Sequence, residues 1–175
     1  MHIKILRGIL AVLCLLLANI GLASMPGSHD ISYLFIQTAK WSVLKPIDSK
    51  PGYYQLVLHG VEPYVPYFSD RPNRVAGIIT TTQFIAEWNN PKGFQNEAPN
   101  VGMVGVKILS VDKKNSVNTL TLNHPVYDPK AATVTYQATI VGGEQTQMPT
   151  HALVFKPVAL FIDNVGSCWS CVGPP

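Results

Sequence analysis

The sequence predicts a mainly β protein: a single-domain antiparallel β-sandwich or open barrel, with one short α-helix at about residues 81–89, behind an N-terminal export signal. Three observations carry this reading. Ala132–Val141 alternates strictly, with Val134, Tyr136, Ala138 and Ile140 on one side and Thr133, Thr135, Gln137 and Thr139 on the other, the pattern of a half-buried strand. Further short apolar runs recur between turn residues, and 14 prolines suit a loop-rich chain. Only one segment has both a helix start signal and helical spacing.

In chain order, residues 1–23 read as a signal peptide. Lys4 and Arg7 supply the positive start, Ile9–Leu17 an unbroken apolar run, and Gly21-Leu22-Ala23 the small residues before cleavage. The apolar stretch is broken by Asn19 and falls short of the ~20 residues that span a bilayer. Cys14 is preceded by Leu13 and lies inside the apolar run, which argues against a lipoprotein signal. Residues 24–175 then form a single exported β-rich domain with a C-terminal Cys-x-x-Cys tail.

Within that domain, residues 31–45 carry Tyr33, Phe35 and Trp41 and fit strand or helix. Tyr54, Leu56 and Leu58 alternate with Gln55, Val57 and His59, so His59 is expected to face solvent. Thr80 and Gln83 form a capping box ahead of the Phe84, Ile85 and Trp88 stripe, and Asn89-Asn90-Pro91 stops the helix. A polar loop to Pro99 has Phe94 as its one apolar anchor. Gly102–Val111 is apolar enough for a strand covered on both faces, with its glycines marking a bulge. Asp112–Asn115 reads as a hairpin turn, Asn118–Asn123 as a strand ending at His124-Pro125, and Val158–Asp163 as another strand. Asp128-Pro129 and Gly142-Gly143 are breaks.

Composition narrows the function. Removing the signal from 175 residues leaves 152, room for one core. The net charge of +3 falls to +1 once Lys4 and Arg7 leave, so there is no electrostatic footprint for nucleic acid. Much of the 47% hydrophobic content and the mean hydropathy of +0.17 belongs to the signal, and no later segment is long and apolar enough to span a membrane. The expected location is the periplasm or the outer-membrane periphery.

The densest polar segment is Tyr67-Phe68-Ser69-Asp70-Arg71-Pro72-Asn73-Arg74. Pro72 and Asn73 favour a β-turn that brings Arg71 and Arg74 together, with Asp70 beside them. Asp70, Arg71, Asn73 and Arg74 read either as a clamp for a small anion or as a structural knot, and the knot is the commoner outcome. Cys168-Trp169-Ser170-Cys171 sits too near the end for a redox-active helix to follow, and it supplies only two metal ligands. A Cys168–Cys171 disulfide formed after export is the favoured reading, with thiol-active and metal-binding roles as alternatives. The histidines are dispersed, and no hydrolase, zinc-protease or phosphate-loop motif occurs. No catalytic residue, metal ligand set or cofactor is indicated.

The segment Tyr67–Arg74 resembles the shared pattern of a group of exported bacterial proteins of similar size for which no activity is established. Ala76-Gly77, Thr81, Phe84, Trp88, Pro99-Asn100 and Leu160–Asp163 continue that pattern in order. The resemblance implies a small exported β-rich domain, and the Cys168–Cys171 tail lies outside it. In style the chain also resembles accessory subunits of bacterial type IV secretion core complexes. The expectation is a non-enzymatic periplasmic interaction module, a subunit of an envelope-spanning secretion assembly, with Tyr64, Tyr67, Phe68 and Trp169 as protein-contact residues. Its partners would be other envelope proteins, with no nucleic acid.

Overall fold

The computed structural model describes residues 31–69, 74–108, 115–142 and 149–163. The expected signal peptide and the Cys168–Cys171 tail lie outside these residues. The described chain is one antiparallel sheet of eight strands with one short helix, the predicted class. In order come β1 (Tyr33–Pro46), β2 (Tyr53–Val61), β3 (Tyr64–Ser69), β4 (Ala76–Thr80), the helix α1 (Thr81–Trp88), β5 (Asn100–Lys107), β6 (Asn115–Asp128), β7 (Thr133–Val141) and β8 (Leu153–Asp163).

Six of the strands close a ring. β1 pairs with β2, β2 with β7, β7 with β6, β6 with β5, β5 with β8, and β8 with β1. The long first strand makes this closure. One of its edges is taken by β8 from Leu34 to Leu44. The other is shared, with Ala39–Pro46 on β2 and Tyr33–Phe35 on β3. β3 therefore continues where β2 leaves off, and β4 pairs on its far side to form a hairpin that extends beyond the ring. Residues 31–45, ambiguous in the sequence, supply most of this strand, which begins at Tyr33 and is paired along both edges.

Strict alternation lapses on three adjacent strands at the same level of the sheet. On β1, Ala39 and Ser42 are buried while Lys40 and Trp41 between them are exposed. On β2, Leu58 and Val61 are buried around His59 and Gly60; on β8, Phe155 and Val158 are buried around Lys156 and Pro157. The register does not slip, since Ala39 faces Val61 and Val158, and Ser42 faces Leu58 and Phe155. The sheet thus turns a corner in which each strand spends two successive residues outward. Gly60, at φ 64°, and Pro157, which has no N–H, are residues suited to such a bend. Next along the ring, β5 shifts register between Gly105 and Lys107 against β8. Across it, β6 does so between Asn123 and Val126 against β7. His124, at φ 50°, sits in that bulge, so β6 runs on past His124-Pro125 instead of ending there. β5 differs from expectation too, because Val104 is exposed and only one face is covered.

A six-stranded ring is narrower than barrels whose lumen just holds side chains, so side chains fill it. Leu44, Leu56, Leu58, Val101, Met103, Leu120, Leu122, Val134, Tyr136, Phe155, Leu160 and Ile162 are all fully buried. The helix closes the ring near Phe35. Its capping box forms as the sequence predicts: Gln83 N–H donates to Thr80 Oγ1 at 3.2 Å, and Thr80 N–H donates to Gln83 Oε1 at 3.3 Å. Thr81 anchors the helix start by donating its hydroxyl to the Glu62 carbonyl at 2.7 Å. Phe84 and Trp88 then enter the core, with Phe84 5.1 Å from the Phe35 ring and Trp88 5.2 Å from Tyr136. Each such burial stabilises by roughly 1.5–3 kcal/mol. Phe94, the predicted loop anchor, is buried 4.7 Å from Trp88. Its approach requires a glycine at 93, where a Cβ would run into the Glu87 carbonyl.

Candidate functional site

The β3–β4 hairpin places part of the polar segment singled out above. Ser69 is the clasp at its mouth. Its N–H donates to the Val75 carbonyl at 2.8 Å, and its hydroxyl accepts the Val75 N–H at 2.8 Å. Asp70, Arg71 and Asn73 lie outside the described residues. Arg74 is described, exposed and left-handed at φ 49°. Cys168, Trp169 and Cys171 lie outside the described residues as well.

The three aromatic residues expected to make contacts divide between two faces. Tyr67 turns inward at the hairpin base, its ring 5.4 Å from Tyr33 in an edge-on arrangement and 5.7 Å from Phe35. Gly77, opposite Tyr67, makes room for it, since a Cβ there would lie 2.6 Å from the phenol oxygen. The phenol of Tyr33 is pushed above its usual range, chiefly by burial and secondarily by Tyr67. Tyr64 and Phe68 face outward, 53% and 43% exposed. Between them Pro66 pairs with Ile78 of β4, which at 63% is among the most exposed large apolar side chains described. Leu34 pairs with Phe68 on the neighbouring strand and is half-buried. The outer hairpin face is therefore apolar. Ile78 is a residue the sequence reading missed, although a signal existed: in an alternating strand Ile78 and Ile79 cannot both face the core.

The hairpin also has a free edge. Among the described residues β4 pairs with β3 alone, whereas every strand of the ring is paired on both sides. The Ser69–Val75 bonds set the alternation, so Tyr67–Gly77 and Val65–Ile79 are the hydrogen-bonded pairs and Pro66, without an N–H, falls in a non-bonded one. The N–H and C=O groups of Ala76 and Ile78 consequently point away from β3. Thr80 is aligned with them, but its N–H is taken by Gln83. β4 holds no charge, bulge or proline, the features that usually blunt such an edge.

Tyr136 donates its hydroxyl to Gln37 Oε1 at 2.7 Å inside the ring, and burial pushes its phenol far above the usual range against the smaller opposing effect of that bond. On the outside, His59 faces outward as its place in the alternation predicts, half-buried and stacked on Trp41 at 3.7 Å and 10°. Among the described residues no three His, Cys, Asp or Glu side chains gather as a metal would require, and no helix is long and apolar enough to cross a membrane. No protein-family model, curated protein or solved structure matches the chain.

Proposed function

We propose that this chain is a non-enzymatic interaction module of the bacterial envelope, a peripheral subunit that docks on a neighbouring protein through the β3–β4 hairpin. One observation carries the reading: an unblunted strand edge lies beside an exposed apolar face formed by Tyr64, Phe68 and Ile78. A partner strand added to β4 gains main-chain hydrogen bonds from Ala76 and Ile78, and side chains on the outer face supply selectivity. Exposed aromatic and branched apolar residues beside an open edge are what a monomer avoids and an interface uses. Tyr67 contributes by anchoring the hairpin. The export signal expected at residues 1–23 supports a partner among periplasmic or outer-membrane proteins, and the resemblance to secretion-complex accessory subunits is in keeping with that setting.

The test is native purification of the full chain from envelope, beside Phe68→Arg and Ile78→Arg variants. Wild type is expected in a larger assembly, and both variants as folded monomers with unchanged circular dichroism. Variants that stay in the assembly, or a wild-type chain that migrates alone, contradict the proposal.

A further inference from the structure

The partner of the β4 edge can be named from the edge itself, on the reading that the hairpin is where the chain docks. The outward N–H and C=O groups of Ala76 and Ile78 are open, whereas the Thr80 N–H is taken by Gln83. These groups set the register of any antiparallel strand that satisfies them. For a second copy of β4, related by a two-fold axis, one register does so completely. With the axis at Gly77, Ala76 of each copy meets Ile78 of the other. Every open N–H and C=O of those residues then finds its counterpart, and none is left over. Centring the pair on Ile78 instead would set Ala76 against Thr80, whose N–H is already used.

The side chains suit the same register. On the outer face it sets a small residue against a large one, Ala76 against the exposed Ile78, on both sides of the axis. Ile78 of each copy then comes down on Ala76 of the other, next to the Phe68 that Ala76 already faces. Neither β4 nor β3 carries a charge, so two copies meet without like-charge repulsion between these strands. On the inner face the constraint is sharper. The Tyr67 phenol lies across Gly77, at the position a side chain there would take. The residue opposite Gly77 on an added strand projects to that same face, where a bulky side chain would meet the phenol. A second copy presents Gly77 at that point.

We infer that the occupant of the β4 edge is a second copy of this chain, paired antiparallel through Ala76–Ile78 about a two-fold axis at Gly77, so that the two hairpins form one continuous sheet. The interface is isologous, with each copy giving the same residues. Its core is short, spanning Ala76–Ile78 and the apolar side chains beside them, so the pair is a weak one. The isolated chain is therefore a monomer with an open edge in dilute solution, and it pairs where copies are concentrated, as within an assembly.

Sedimentation velocity on the purified full chain, from about 1 μM to about 1 mM, tests this. Wild type is expected to pass reversibly from monomer to dimer over that range. Ala76→Lys and Ile78→Glu, both at exposed positions, should keep the circular dichroism of wild type. Each should weaken dimerisation roughly tenfold, since each change occurs on both sides of the axis. An equimolar mixture of the two variants should pair more tightly than either alone, because position 76 of one then faces position 78 of the other with opposite charge. The inference is overturned if wild type stays monomeric throughout, if either variant dimerises as wild type does, or if mixing gives no gain, which would place the pairing in another register or on another surface. A chain monomeric at every concentration that still enters the envelope assembly, and leaves it on Ile78→Arg, overturns the second copy but keeps the docking reading, with a different protein as partner. A chain that neither dimerises nor enters an assembly overturns both.

Discussion

At the scale of single residues, the polar pair inside the ring is the most exposed to failure. Tyr136 and Gln37 are buried among apolar side chains, and Gln37 Nε2 has no hydrogen-bond partner even with the Tyr136 bond in place. Tyr136→Phe would leave the Gln37 carboxamide without that bond, at a cost of about 1–3 kcal/mol in urea unfolding. Removing both polar groups, as Gln37→Met with Tyr136→Phe, should recover most of the loss, because no orphaned amide then remains. A double variant as destabilised as the single one would contradict this. Alkaline pH reads the same pair. The folded state keeps a proton that an unfolded tyrosine releases near pH 10, so stability should fall as pH rises through that value, by about 1.4 kcal/mol per pH unit. The double variant should lack that component of the decline.

The eight-residue helix cannot hold itself together as an isolated peptide, so its start and its packing must both succeed. Thr80→Ala removes the acceptor for Gln83 N–H and should cost about 1 kcal/mol of global stability by thermal or urea unfolding. An unchanged midpoint would mean that Phe84 and Trp88 hold the helix without its cap. This element was legible in the sequence because its information is local: a capping pair three residues apart, an apolar stripe and a stop. Strands with one face inward, such as Tyr54–Leu58 and Thr133–Val141, were legible for the same reason. The corner through Lys40–Trp41, His59–Gly60 and Lys156–Pro157 was not, since it is a concerted turn of three strands brought together only by folding. In each strand alone it reads as a small lapse in alternation. The hairpin site was half legible: Tyr64 and Phe68 stood out as aromatics, while Ile78 hid in a short apolar strand whose exposed side depends on pairing with β3.

Across the whole molecule, closure decides where the surface is reactive. Ring pairing leaves β1, β2, β5, β6, β7 and β8 without an open flank, and the two demands on β1 send β3 and β4 outside the ring. The open edge and the outward Tyr64, Phe68 and Ile78 follow from that division. No alternation pattern encodes it, because the pairing of β1 with β8 joins opposite ends of the described chain. Residue-resolved amide hydrogen exchange tests the proposed docking at the β4 edge most directly. In the isolated chain Ala76 and Ile78 should exchange fast while Gly77 and Ile79, bonded to β3, exchange slowly. In the native envelope assembly Ala76 and Ile78 should become slow as well. Amides at 76 and 78 that stay fast in the assembly, or are already slow in the isolated chain, would contradict the account.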